Sequence, residues 1–575
     1  MNELPGKDRP KLLVVGIDGA TMDLVKPWAD EGKLPTLRSL IDDGVSGTLE
    51  STMPPVTAPA WTSFMTGMNP GKHGIYDFLE PQANSYQLGY CSGRSRRAQT
   101  LWRLLSDAGL SVGVMNVPMT YPPEPVNGYI ISGMDAPDQE SDITYPAALK
   151  EELKRAVGGV QIDIRHLGNM RTDAKRDYTL QALEDLEDRR TRIALYLMEK
   201  HPTDIVMLYY NATDQVQHHF WHYFDPSHPL YDESGGQKYG NAIYRIYKAI
   251  DDRLAEILRC LSPGTPVVVL SDHGAGPVSV REVYLNRYLE RLGLLVREPQ
   301  SSSWSPAKGL ELILPKLDAS LRAVLTPAQK TKLAKWIPGG RGKFESLLTF
   351  WGIDWSRTRA YAAELSASSP SIWINLKGRQ PNGTVEPGAE YEELIEEIKM
   401  RLLELKDQQT GESVIPAVYR KESVYRGGAM ERAPDLILAW WEGKGFLAKP
   451  SYPCRPGAAV VARKQKLVPG ADWSGNHRLW GIVLLRGNAF KKGYTICDAR
   501  IIDIAPTLLA LLGVPIPEDM DGRVLEDVFE GQFRQTVEWS YRQALDQIPV
   551  EDETAYSEED AEKIRERLKG LGYIE

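Results

Sequence analysis

The sequence predicts a doubly wound α/β fold, a mostly parallel sheet with helices on both faces, with a helical insertion. Three observations predict it: short apolar runs recur along the chain, helical stretches separate them, and polar clusters fall where the runs end. KLLVVGID (residues 11–18) is apolar and β-branched without alternation, the pattern of a strand buried on both faces. LPTLRSLIDDGV follows as a helix with Gly44 as its stop. SVGVMNVP (111–118), TDIVMLYY (203–210), TPVVVLSD (265–272), PDLILAW (434–440) and WGIVLLRG (480–487) repeat the strand pattern. AIYRIYKAIDDRLAEILRCL (242–261) is the clearest of the intervening helices. In such sheets the chemistry lies beyond the carboxyl ends of the strands, so that is where polar residues carry meaning.

The expected organisation has four parts: residues 1–280 form the first part of the α/β core, and residues 281–354 a helical insertion. Residues 355–540 form the second part of the core, and 541–575 a tail with an amphipathic helix. In the insertion NRYLERLGLL, AKGLELILPKLDASLRAVL and PAQKTKLAKWI read as helices, joined by polar links such as PQSSSWSP and PGGRGK. It is placed either to cap the cleft or to pack as a helical subdomain with no part in the site. The tail helix, SEEDAEKIRERLKGLGYIE, is expected to dock on the body. No internal repeat is visible.

Composition narrows the class. With 575 residues, 42% hydrophobic and 25% charged, the chain is an ordinary folded protein. A formal net charge of −9 argues against a dedicated nucleic-acid binder. The basic run Arg94-Ser95-Arg96-Arg97 therefore reads as a solvated loop. The four cysteines, Cys91, Cys260, Cys454 and Cys497, are too widely spaced for a zinc knuckle or a disulfide framework, and Cys260 reads as a core thiol. No apolar run approaches bilayer length and the first strand follows MNELPGKDRP directly, so the expectation is a cytoplasmic protein without a membrane span. Oligomeric state is open.

Five polar clusters fall at expected strand ends. Asp18 closes the first strand, Thr57 stands before the helix APAWTSFMTG, and Asp214 and His218 occur in YYNATDQVQHHFW. Asp272 and His273 close TPVVVLSDH, and His477 precedes the strand WGIVLLRG. Singly, each has an ordinary reading as a helix cap or a hydrogen-bonded structural group. Together, three aspartates and three histidines on one sheet edge fit two metal sites of mixed carboxylate and imidazole ligands. Asp214 and His218, four apart, project from one helix face and can grip one ion. Nitrogen and oxygen donors suit Zn²⁺ first, with Mn²⁺ or Fe as alternatives. Two ions about 4 Å apart can clamp the attacking and leaving oxygens of an in-line phosphoryl transfer. Thr57, at the expected N-cap with Pro59 in the first turn, meets the free N–H groups that favour a phosphate, and a metal there would activate its hydroxyl.

These segments, with TGMNPGKHGI, SDHG and G-N-H in that order, resemble the alkaline phosphatase superfamily, in its type I phosphodiesterase/nucleotide pyrophosphatase-like branch. The resemblance spans residues 11 to about 280 and 355 to about 530, and it extends to YAAELSASSPSIWINLKGR and DIAPTLLALLGV. It implies one metal on Asp214, His218 and His477, and another on Asp18, Asp272, His273 and the oxygen of Thr57, with Thr57 the catalytic nucleophile. Departures bear on substrate. Nucleotide pyrophosphatases carry an Asn three residues after the nucleophile, where this chain has Ala60; alkaline phosphatases carry Arg directly after it, where this chain has Ala58. The sulfatase pattern C-x-P-x-R is absent at the nucleophile, and Cys454 begins no such motif.

The reading is thus a metal-dependent hydrolase of small-molecule phosphate esters, with phosphodiesters or nucleotide-type pyrophosphates as substrates and a phosphothreonine intermediate. The alternatives are a phosphomonoesterase or a phosphotransferase/phosphomutase on the same site, or an inactive metal-stabilised binding protein. Asn116 and Thr120, past a strand end in MNVPMTYPP, are candidate substrate contacts, with loop capping as the simpler role. His73 in GKHGI is expected to buttress the nucleophile helix, His219 and His222 to hydrogen-bond near the site or face solvent, and Trp61 to pack.

Overall fold

The computed structural model describes residues 10–298, 350–442, 444–467 and 472–571, apart from 83, 165–169, 351, 364–369, 450, 452–457 and 545–555. A nine-stranded sheet forms the body. Its strands are β1 (Leu12–Ile17), β2 (Gly44–Glu50), β3 (Val112–Met115), β4 (Gly128–Ile131), β5 (Thr144–Tyr145), β6 (Ile205–Tyr210), β7 (Val267–Leu270), β8 (Trp480–Arg486) and β9 (Tyr494–Arg500). The spatial order is β9-β2-β8-β7-β1-β6-β3-β4-β5. β1 lies in the middle, parallel to both β6 and β7, and every one of its residues is buried. Burial on both faces explains why these strands read as unbroken apolar runs.

The register sets where the site can be. β8 runs antiparallel to β7 and to β2, pairing Val483 with Leu270 and Trp480 with Glu50. The start of β8 therefore lies at the same sheet edge as the carboxyl ends of β1, β2, β6 and β7. Five chain segments, ending in or leading to Asp18, Thr57, Asp214, Asp272 and His477, are delivered to one edge by topology alone.

Four helices and the tail complete the parts used below: α1 (Thr57–Thr66), α2 (Asp173–Lys200), α3 (Ala212–Phe224), α4 (Ala242–Leu258) and α5 (Glu558–Leu571). The tail docks as expected: Ile564 and Leu568 on α5 are buried in the main core, and Arg567 donates to the carbonyls of Met134 at 3.0 Å and Pro137 at 3.1 Å. None of the described helices is long and apolar enough to cross a membrane.

Three expectations change. The run 434–440 is not a strand of the main sheet; Leu436–Leu438 joins a separate four-stranded sheet with Ala360–Ala362, Ser371–Ile374 and Val418–Arg420. That sheet packs with the helix Ala389–Leu403 into a second apolar core, and three buried residues look alike in either setting. The basic run at 94–97 is not simply solvated: Arg96 is buried and donates to the carbonyls of Ala98 at 3.0 Å and Met119 at 3.2 Å and to Glu124 at 3.3 Å. Cys260 lies just past the end of α4 and is only half-buried, bonded to the Glu256 carbonyl. Of the helices expected in 281–354, the first is found at Leu285–Arg291, preceded by a strand at Arg281–Val283. The other two, and Cys454, lie outside the described residues.

Candidate active site

All seven ligand and nucleophile candidates converge, and each is at most 3% exposed. Asp214 Oδ1 lies 3.1 Å from His218 Nε2 and 3.5 Å from His477 Nε2, and the two imidazole nitrogens are 3.0 Å apart. On the other side, His273 Nε2 is 3.4 Å from Asp18 Oδ1, 3.3 Å from Asp272 Oδ2 and 3.3 Å from Thr57 Oγ1. Neighbouring ligands of a tetrahedral ion with bonds near 2.0–2.1 Å stand roughly 3.3 Å apart. Both clusters show that spacing. His273 stands between them, because its donor atom is also within 4.8 Å of those of Asp214 and His477.

The histidines are oriented alike. Nδ1 of His218 meets the Gly475 carbonyl at 2.9 Å, that of His273 the Gly274 carbonyl at 3.0 Å, and that of His477 the Pro55 carbonyl at 2.8 Å. A carbonyl only accepts, so each Nδ1 donates to it and each Nε2 is the ring nitrogen turned to the cluster. The carboxylates are prepared in the same way. Tyr209 donates its hydroxyl to Asp18 Oδ2 and the Gly19 N–H donates to Asp272 Oδ1 at 3.2 Å. The remaining oxygens, Asp18 Oδ1 and Asp272 Oδ2, are buried without a partner and are the two that face His273. Orphaned carboxylate oxygens beside inward-facing imidazole nitrogens are the donor set that a transition-metal cation fits.

The electrostatics agree. Burial, then the charges of Asp272 and Asp214, pushes Asp18 well above the usual carboxylate range. Burial and Asp214 push Asp272 up to about 7. Burial would raise Asp214 too, but the imidazoles of His218 and His477 outweigh it and hold that carboxyl well below its ordinary value. Burial and the neighbouring His477 keep His273 neutral, the state in which imidazole ligates. Crowded carboxylates in a dry site repel one another, and a bound cation reverses that logic.

Thr57 is the first residue of α1 rather than its N-cap. The cap is Val56, in extended conformation and without a side-chain cap bond, and the hydroxyl of Thr57 faces the cluster, 3.3 Å from His273 Nε2. Trp61, one turn on, packs edge-on to Tyr209 and Phe64, fixing α1 over β1 and β6. His73 buttresses the same helix through Ser63, at 2.9 Å.

Asn116 and Thr120 sit past the end of β3 and are occupied within their loop. The Thr120 hydroxyl donates to the Val117 carbonyl at 2.6 Å and accepts from the Gly133 N–H at 2.9 Å, while Asn116 donates to the Ser132 carbonyl at 3.4 Å. These hydrogen bonds cap the loop. His219 and His222 are buried, not solvent-facing, and their Nδ1 atoms have no partner. Sequence reasoning missed Tyr209, whose only signal was a polar tip at the end of an apolar strand. It also missed Trp473, three residues before Asn476, whose ring stacks on His218 at 3.7 Å.

Fold and site together define an α/β phosphoric ester hydrolase of the alkaline phosphatase superfamily. The chain belongs to the type I phosphodiesterase / nucleotide pyrophosphatase family, whose model matches residues 12–468. That stretch holds Asp18, Thr57, Asp214, His218, Asp272 and His273 and ends short of His477. Among solved structures, human ectonucleotide pyrophosphatase / phosphodiesterase 5 is similar at 16% identity and a TM-score of 0.50, over 90% of this chain and 100% of that one. Its murine counterpart is similar at 14% identity and a TM-score of 0.48, over 90% and 100%. No curated protein sequence matches.

Proposed function

We propose that this hydrolase cleaves phosphodiesters or nucleotide-type pyrophosphates through a covalent phosphothreonine on Thr57, at a centre of two divalent cations, zinc foremost. The observation that carries the reading is the Thr57 hydroxyl at the open end of α1, 3.3 Å from His273 Nε2 and inside the ligand cluster. Asp214, His218 and His477 would hold one cation, and Asp18, Asp272, His273 and the Thr57 oxygen the other. When bound, such cations neutralise phosphate charge and lower the pKa of a ligating hydroxyl.

The chain's own residues do the rest. Backbone carbonyls fix the three imidazoles, and Tyr209 and the Gly19 N–H fix two carboxylates, so little reorganisation accompanies the reaction. The start of α1 presents N–H groups to a phosphate oxygen. The Thr57 oxygen, deprotonated, bonds to phosphorus as the bond to the leaving oxygen breaks, and the departing alcohol or phosphate takes up a proton. Water then bonds to phosphorus, the Thr57 oxygen–phosphorus bond breaks, and Thr57 regains its proton.

Thr57→Ala and Thr57→Ser test this with a chromogenic aryl phosphodiester. The Ala variant should lose turnover while binding metal, the Ser variant should keep part of it, and acid-quenched wild type should carry the retained ester fragment on the Thr57 peptide. Full activity in Thr57→Ala would refute the covalent step.

A further inference from the structure

The helix α3 carries two ligand candidates, Asp214 and His218, and its start is built unusually. Asn211 is the N-cap, which makes Ala212, Thr213 and Asp214 the first three helical residues. An acidic residue at the third position commonly folds back to accept the N–H of the N-cap residue. Here that would turn the Asp214 carboxylate away from His218 and His477. Asn211 cannot relieve the helix start itself: it makes no side-chain cap bond, and its Oδ1 accepts from Arg190 Nη1 at 2.7 Å.

The missing acceptor comes from another helix. Glu187, on α2, accepts the Asn211 N–H at 2.9 Å and the Ala212 N–H at 2.7 Å, both on Oε1. Arg190, one turn further along α2, spans both Glu187 oxygens at 3.2 and 3.1 Å and donates to the Ile162 carbonyl at 2.8 Å. The side chains of Arg190 and Glu187 are 2% and 1% exposed. A buried ion pair is weak as a device for stability, since desolvation offsets most of its attraction. Its placement here serves something else.

We propose that Glu187 is a positioning residue for the metal centre: it caps α3 from outside, so that Asp214 is freed from capping its own helix and held toward His218 and His477. Arg190 fixes the Glu187 carboxylate in that role. The inference rests on the metal-centre reading given above and adds a residue that touches neither cation nor substrate.

The test is zinc titration of metal-stripped full-length protein, followed calorimetrically, with the unfolding midpoint measured alongside. Wild type should take up two equivalents. Glu187→Gln keeps an acceptor oxygen and should retain both. The double variant Glu187→Leu/Arg190→Met removes the pair without leaving a buried charge, so it should fold, yet it exposes the Asn211 and Ala212 N–H groups to capture by Asp214. It should bind one equivalent normally and the other roughly 10- to 100-fold more weakly. Adding Asp272→Ala identifies the weakened site: in the wild-type background one tight equivalent survives, and in the double-variant background none does. A folded double variant with two unchanged equivalents would overturn the positioning role while leaving the metal reading intact. Wild type that takes up no zinc would overturn both.

Discussion

Gly16, one residue before the carboxyl end of β1, is the sharpest test of how the fold aims Thr57, the proposed nucleophile. A Cβ placed there would lie 2.3 Å from Trp61 Cη2 and 3.0 Å from Cζ2, whereas ordinary contact starts at 3.4 Å. Trp61 is 1% exposed and boxed in by Phe64 and Tyr209, so its ring has nowhere to go without moving α1. Gly16→Ala should therefore shift the ring, and with it the start of α1, by roughly 1 Å, at a cost of about 1–3 kcal/mol for overpacking. The same shift displaces the Thr57 oxygen, and a misplacement of that size can cost about a hundredfold in rate. Urea unfolding and kcat would be measured in a cycle of Gly16→Ala, Trp61→Phe and the double variant. Trp61→Phe loses the part of the ring that meets Gly16, so the double variant should recover both stability and rate relative to the sum of the single changes. A coupling energy within about 0.5 kcal/mol of zero, or unchanged kcat in Gly16→Ala, would refute the argument.

Chelation should lower the unfolding midpoint and restored zinc should raise it, because the cation binds only the folded cluster; at a hundredfold excess over Kd the gain is about 2.7 kcal/mol. Metal uptake should weaken as pH falls, since carboxylates and imidazoles ligate only when deprotonated; uptake independent of pH between 5 and 8, read by competition with a chromogenic chelator, would contradict the ligand set. Arg96→Met should destabilise by about 2 kcal/mol, less than a fully buried pair would lose, because Glu124 keeps Thr100 and Trp102 as donors and is 27% exposed; urea unfolding would show no change if the loop were merely solvated.

The parts legible in the sequence are those fixed by local pattern. β1, β6 and β7 are buried on both faces, so their apolar runs announce them, and the doubly wound rule then points to Asp18, Asp214, Asp272 and His273 at their ends. What stayed hidden depends on pairing between distant segments. Leu436–Leu438 carries the apolar signature of a central strand, but its partners at 371–374 and 418–420 place it in a second sheet. Arg96 reads as one of a solvated basic run because its partner Glu124 and the Met119 carbonyl lie more than twenty residues away. Glu187 and Arg190 look like an exposed i,i+3 pair in a helix dense in charge. Only the tertiary contact with Asn211 turns them inward.

The charge of the substrate is the point on which the site argues hardest. A phosphomonoester brings one negative charge more than a diester, and it would need a cation beyond those proposed for the carboxylate–imidazole clusters. The position after the nucleophile is Ala58, fully buried in the first turn of α1. The arginine nearest in sequence to a ligand, Arg478, is already committed, donating to the His477 carbonyl at 2.7 Å and to the Pro277 carbonyl, with burial lowering it to about 10. An uncompensated charge in a partly desolvated cleft costs several kcal/mol, roughly a hundredfold or more in rate. Phosphodiesters should accordingly be cleaved with the higher kcat/KM when mono- and diester carry the same leaving group. A wild-type enzyme that clearly favours the monoester would mean that another cation reaches the cleft, and the diesterase assignment would fall with it.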